Sequence, residues 1–411
     1  MARYLSASLE GTGGQIKESS EDFLVEEIPL YLPCGEGEHL YVEVEKTGLT
    51  TFDLIQKVAG ALKIRSRDIG YAGLKDARAT TRQRLSLQRV TPAQVESLQL
   101  PGIRVLSYAW HRNKLRLGHL AGNRFTIRIR AVKPGALEKA EDILHVLKTV
   151  GVPNRFGQQR YGVLGNSHLI GRALLRQDYE LAGRLIIGDP QSITQERWRE
   201  AAERFERGDL DGTLAALPAR FRDERNLVAA LDKGHPAREA VFTMPRNRLR
   251  LYLSAYQSSL FDRLVDMRLD TLDTLWAGDY ACKHENGACF IVEDPAKEQP
   301  RADSLEISPS APLYGYKVSL ARGQAGILEE GLLAKEKLSL QNFRLSEGLG
   351  MEGERRPLRV PLGEYRIDME GQDLRLSFSL PRGSYATSVL AEVMKSEEDP
   401  PATTPARPTA Y

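Results

Sequence analysis

The segment Ala72-Gly73-Leu74-Lys75-Asp76-Ala77-Arg78-Ala79-Thr80-Thr81-Arg82-Gln83 sets one carboxylate among Lys75, Arg78 and Arg82. Nearby cations keep an acid ionised. An ionised carboxylate that is also partly desolvated acts as a nucleophile or an electrostatic stabiliser toward an electron-poor carbon. Asp76 is therefore the candidate for chemistry. An Asp that bonds backbone amides in a turn fits the same letters, so spacing alone leaves both roles open.

Other motifs carry less. Cys282, His284 and Cys289 stand in a C-x-H-x4-C order with no fourth ligand nearby, so no metal site is expected. With Cys34 they make three cysteines, an odd number, and no disulfide stabilisation is expected. Gly348 to Gly353 matches G-x-G-x-x-G, but Glu354-Arg355-Arg356-Pro357 cannot open the helix that a dinucleotide site needs. No Walker loop or G-x-S-x-G elbow occurs, and no cofactor is expected. His39, His111 and His119 lie near the basic segments, and no role is assigned to them.

The elements that must position Asp76 read as strands broken by turns. FLVEEIPLYL from Phe23 and the alternating Leu40 to Glu45 are strands, and Thr50 or Thr51 caps a helix over Phe52 to Leu62. The loop bearing Asp76 then gives way to an alternating strand, Gln83 to Leu87. LRLGHL and NRFTIRIR read as a second strand pair. In the latter, Phe125, Ile127 and Ile129 face one way and Arg124, Thr126, Arg128 and Arg130 the other. A helix follows Pro134 and closes at Gly151 and Pro153. The middle of the chain is helical at first, then turns to short strands from Leu275 to Ala334. Alternation returns after Pro357, followed by a helix from Ala386 to Lys395. The strand-rich ends match each other in texture, as in a split domain with an insertion. Residues 396–411 include four prolines and read as a disordered tail.

A chain of 411 residues with 41% hydrophobic and 27% charged residues is a folded protein of two or three domains. No run reaches the ~18 apolar residues that span a bilayer, and MARYLSASLEGTGG lacks a signal-peptide block. The cytoplasm is the expected location. The net charge of +2 hides an asymmetry. From Ala77 to Leu137 there are twelve Lys and Arg and a single acid, Glu96. On alternating strands such residues form a stripe suited to a phosphate backbone, unless counter-charges arrive from elsewhere in the fold.

AGLKDARATTRQ resembles the signature of the TruD family of tRNA pseudouridine synthases. EDFLVEEIP with GEGEHLYVEVEKTG, RNKLRLGHLAGNRFTIRIR, VPNRFGQQRYG, LYLSAYQSSLFDRL and FSLPRGSYATSVL resemble the family's other blocks in order, across residues 16–395. Departures are small. Ala77 stands where Lys is usual, Thr80 where Val is common, and Tyr161 and Tyr385 where Phe also occurs.

The resemblance implies an α+β fold: a largely antiparallel mixed-sheet catalytic domain over 1–150 and 355–395, split by an inserted TruD domain over 151–354. It implies isomerisation of uridine to pseudouridine in tRNA, at uridine 13 of the D-arm, by base flipping and without cofactor or obligatory protein partner. By position it makes Asp76 the catalytic aspartate and assigns substrate contacts to Phe23, Asn123 and Phe378. A Phe ring stacks on an extracted base for ~1–3 kcal/mol, and an amide orients polar edges. Core packing in an alternating strand is the competing role for both Phe residues. Lys75 or Arg78 would hold Asp76 charged and contact RNA; Gln159 and Arg160 are either RNA-backbone contacts or a structural hinge where the inserted region starts. A binding protein without catalysis, or an N-glycosylase that lets water finish the reaction, would use the same residues differently.

Overall fold

The structure, a computed structural model, describes residues 3–75 and 77–396. The chain forms two compact units, the second running Pro153–Arg359 and interrupting the first, which ends at Val152 and resumes at Val360. The first unit opens with β1 (Phe23–Pro29), β2 (His39–Thr47) and α1 (Thr51–Leu62), then β3 (Gly70–Tyr71) and β4 (Thr80–Gln88). β5 (Ile103–His111), β6 (Leu120–Ile129) and α2 (Ala136–Val150) follow. Thr50 caps α1, its hydroxyl accepting the Asp53 N–H while the Asp53 carboxylate accepts the Thr50 N–H at 3.0 Å.

Two local readings change. LRLGHL, expected as a strand, is a turn except for Leu120: Leu115 packs inward with Tyr41 and Ala72, while Gly118 takes a left-handed φ of +87° and breaks the extension. In its place β5 forms the sheet edge. A bulge opposite Glu43 and Val44 interrupts its alternation, which hides it from a period-2 reading.

The second unit is helical at first and includes α3 (Arg246–Met267), 22 residues long. Its sheet holds β7 (Tyr280–Lys283), β8 (Cys289–Ile291), β9 (Ile307–Leu313) and β10 (Glu354–Pro357), in the order β10-β9-β7-β8. The stretch read as short strands also contains helices, Pro295–Asp303 and Gly323–Lys335. The glycine-rich string at Gly348 leads into β10, a strand.

The cysteine expectation is overturned. Cys282 and Cys289 sit directly opposite each other on β7 and β8, Cα atoms 4.1 Å apart, and form a disulfide. Counting cysteines cannot reveal this, because the pairing follows from hairpin register. Their sulfurs are bonded to each other rather than offered to a metal, and His284 Nε2 lies 2.8 Å from Ser308 Oγ.

Back in the first unit, β11 (Tyr365–Glu370), β12 (Asp373–Pro381) and α4 (Ala386–Met394) complete an eight-stranded sheet, ordered β11-β12-β6-β1-β4-β2-β5 with β3 beside β4. Two apolar layers cover it. Ile143, Leu144 and Leu147 of α2 and Val389, Leu390 and Val393 of α4 pack on Phe125, Ile127, Ile129, Leu374 and Leu376. Leu54, Ile55, Val58 and Leu62 of α1 pack on Leu40, Val42, Val44, Leu85 and Leu87. The two clusters meet the sheet on either side of the β1–β4 junction.

Thiol titration of the unfolded, unreduced protein is expected to find one thiol per chain, that of Cys34. Three would show Cys282 and Cys289 to be reduced.

Candidate active site at the parting of two strands

β1 and β4 run parallel from Leu24 opposite Thr80 to Glu26 opposite Arg82, then separate. Further along β4, β3 takes the vacated side, with Tyr71 opposite Leu85 and Gly70 opposite Ser86. Where strands part, backbone donors lose their ladder partners and must find others. Glu27 supplies one: its Oε2 accepts the Arg84 N–H at 3.0 Å, and its Oε1 accepts the Lys75 ammonium at 2.7 Å. Both side chains are almost fully buried, 5% exposed for Lys75 and 4% for Glu27.

A second chain of bonds holds the same loop from below. The Lys75 N–H donates to Thr51 Oγ1 at 2.9 Å, and the Thr51 hydroxyl donates to Gln83 Oε1 at 3.1 Å. Lys75 is thus fixed at both its backbone and its ammonium. It is occupied inside the protein, and its charge is not presented to a phosphate. Asp76 lies outside the described residues. Arg78 is exposed, and Ala79 is buried in the cluster that includes Phe23.

Asn123 stands on β6 opposite both Glu27 of β1 and Leu380 of β12. Its Oδ1 is buried without a hydrogen-bond partner among the described residues, as are Thr81 Oγ1, Gln83 Nε2 and Arg84 NH1. Buried polar atoms are normally paired; Thr81, Gln83 and Asn123 share one face of the sheet, since Val25 stands opposite Thr81 and Glu27 opposite Asn123, while Arg84 alternates to the other face. Phe23 and Phe378 are packed in the core, 6% and 1% exposed. Phe125 lies between them, ring centroids 6.3 Å from Phe23 and 5.4 Å from Phe378. Phe125 was not singled out from the sequence, although it follows Asn123 by two residues and so shares its face. The Lys17 ammonium lies 4.6 Å from the Phe23 ring centroid. Asp22, just before Phe23, accepts from Arg130 Nε at 3.0 Å and NH2 at 2.7 Å. Those bonds hold the Asp22 carboxyl below the usual range, against the effect of burial.

Five cations of the basic segment are matched by acids. Arg82 pairs with Glu26 and Glu45, Arg104 with Glu45, Arg112 with Glu36, Arg128 with Glu370, and Arg130 with Asp22. The acids come from outside the basic segment: Glu26, Glu45 and Glu370 from β1, β2 and β11, Asp22 from the turn before β1, and Glu36 from the loop between β1 and β2. Among the described residues, Arg84, Arg89, Lys114, Arg116, Arg124 and Lys133 have no ion pair.

In the second unit the VPNRFGQQRYG block is hooked onto α3. Asp262 accepts the Phe156 N–H at 2.9 Å and the Tyr161 hydroxyl at 2.6 Å. Arg160 donates to Ser258 Oγ at 3.0 Å and to Ser254, over the Phe156 ring. It is held as part of the hook. The Gln159 side chain lies outside the described residues. Burial pushes the Asp262 carboxyl up to about 6.

Comparison with known proteins decides the family. The family described as TruD, tRNA pseudouridine synthase D, matches residues 1–393. The chain belongs to the TruD family of tRNA pseudouridine synthases. TruD relatives include the tRNA pseudouridine synthase D of Syntrophotalea carbinolica, 59% identical over 97% of this chain and 100% of that protein. That of Geobacter metallireducens is 57% identical over 96% of this chain and 98% of its own. The crystal structure of the Methanosarcina mazei protein assigned to TruD superposes with a TM-score of 0.81 at 28% identity, covering 96% of each chain. As a TruD member the chain is an isomerase that converts uridine to pseudouridine in tRNA, on an α+β fold with mainly antiparallel sheets.

Glu27→Gln would leave the Lys75 ammonium buried without its counter-charge, which costs about 3–5 kcal/mol. Urea unfolding is expected to read a loss of that order; an unchanged midpoint would show the pair to be dispensable. For Asp262, a folded-state pKa of about 6 against the usual 3.8 means that ionisation opposes folding. Its contribution is most favourable below about pH 4 and declines as pH rises to about 6. The stability difference between Asp262→Asn and the parent should grow in the variant's favour across that window by on the order of 3 kcal/mol. A difference constant with pH would contradict the assignment.

Proposed function

We propose that the chain converts uridine 13 in the D-arm of tRNA to pseudouridine, with Asp76 as the catalytic carboxylate. The observation that supports this reading is the seam: the loop bearing Asp76 is tied down on its Lys75 side by Glu27 and Thr51, beside polar atoms of Thr81, Gln83 and Asn123 that are buried without a hydrogen-bond partner among the described residues. In the reaction the glycosidic bond from C1′ to N1 breaks, the uracil turns, and C5 bonds to C1′. The C5 proton is lost and N1 regains one, so no water, oxidant or energy source is consumed. Asp76 either bonds to the substrate or stabilises the electron-poor sugar while the base is detached. Asn123, whose Oδ1 has no partner among the described residues, orients the polar edge of the uracil.

A stacked uridine must leave its helix before these groups can reach it. Residues 1–150 and 355–395 carry the chemistry in this reading, and 151–354 form the inserted domain. Phe23, Phe125 and Phe378 back the site from the core, a supporting role that their burial favours over direct stacking. The cytoplasm, where tRNA is plentiful, is the place of work, and no helix among the described residues is long and apolar enough to cross a membrane.

Asp76→Asn is expected to bind unmodified tRNA nearly as well as the parent while releasing no tritium from C5-labelled uridine. Measurable turnover by that variant would refute the role of Asp76. Chemical mapping of pseudouridine on the product should place it at position 13 alone.

A further inference from the structure

Exposed leucines of the first unit gather at one end of its sheet. Leu30 and Leu32, 55% and 70% exposed, follow the last residue of β1, and Leu117, 65% exposed, precedes β6. β1 and β6 are antiparallel, with Pro29 opposite Leu120, so these loops emerge together. The loop carrying Asp76 joins them: the Gly118 N–H donates to Ala72 O at 2.8 Å, and Leu74, two residues along, is 47% exposed. Arg382, after β12, donates to Gly118 O at 2.9 Å, and exposed Arg116 stands next to Leu117. A lone exposed leucine needs no explanation. Leucines on hydrogen-bonded loops, flanked by arginines and two residues from the reacting position, do.

Extraction of a base leaves a gap in the stack, and proteins that open nucleic acid commonly fill such a gap with an apolar side chain. A wedge must be exposed, apolar and rigidly mounted beside the reacting group, with cations nearby for the flanking phosphates. Leu74 and Leu117 meet these conditions, with Arg116 and Arg382 as the cations. We propose that Leu74 and Leu117 form a wedge that enters the base stack of the tRNA and holds the target uridine out of it.

The proposal rests on Asp76 acting on an extruded uridine, and its test separates the two. The Leu74→Ala/Leu117→Ala variant alters exposed side chains, so circular dichroism and thermal midpoint should match the parent. Single-turnover tritium release is measured on a tRNA transcript and on the same transcript with abasic nucleotides flanking the target, which leave the uridine unstacked. On the first, the variant should be slower by about tenfold or more, with tRNA affinity within about threefold. On the second, the loss should shrink to less than about twofold, and Leu74→Met should restore most of the rate on the first. An equal loss on both substrates, no loss on either, or a loss seen only in affinity would overturn the wedge. Asp76→Asn, run alongside, should be silent on both substrates; turnover there would instead overturn the role of Asp76.

Discussion

The candidate site depends on β1 leaving β4 after Glu26. A parallel pair that persisted for a full strand would bond every backbone group and leave no opening. By parting after three residue pairs, the strands strand the Arg84 N–H and make room for the loop between β3 and β4. Glu27 answers both needs with one carboxylate, bonding the orphaned amide with one oxygen and the Lys75 ammonium with the other. A buried carboxylate is tolerable only when paired in this way. The same carboxylate therefore stabilises the split sheet and fixes the loop that the split admits.

Two helical layers make the opening permanent. α2 and α4 cover one half of the sheet and α1 the other, each with its own apolar cluster. Thr51, the first residue of α1, reaches the loop through its hydroxyl, so the position of that helix is transmitted to the backbone of Lys75 by a single hydrogen bond. Pre-organisation of this kind matters because misplacement of a reacting group by an ångström costs far more rate than stability.

Charge is distributed with similar economy. Five arginines of the basic segment are matched by glutamates and aspartates. Arg116, beside the loops that join the seam, has no ion pair among the described residues. Recognition by a few placed cations, with apolar side chains between them, gives less electrostatic steering and more geometric discrimination than a uniform stripe would.

Much was legible in the chain itself. The start of α1 is narrowed to Thr50 or Thr51, and the two faces of β6 follow from strict alternation. These are short-range properties, written in neighbours two to four residues apart. The family was legible too, because ordered blocks survive in the letters. Tertiary structure alone decided that Lys75 belongs to Glu27, 48 positions away, that Cys282 faces Cys289, and that the arginines meet acids from other strands. Each of these depends on the register between segments, a one-residue slip of which turns every side chain to the opposite face. Local sequence sets which residues can pair, while packing of the whole unit sets which do.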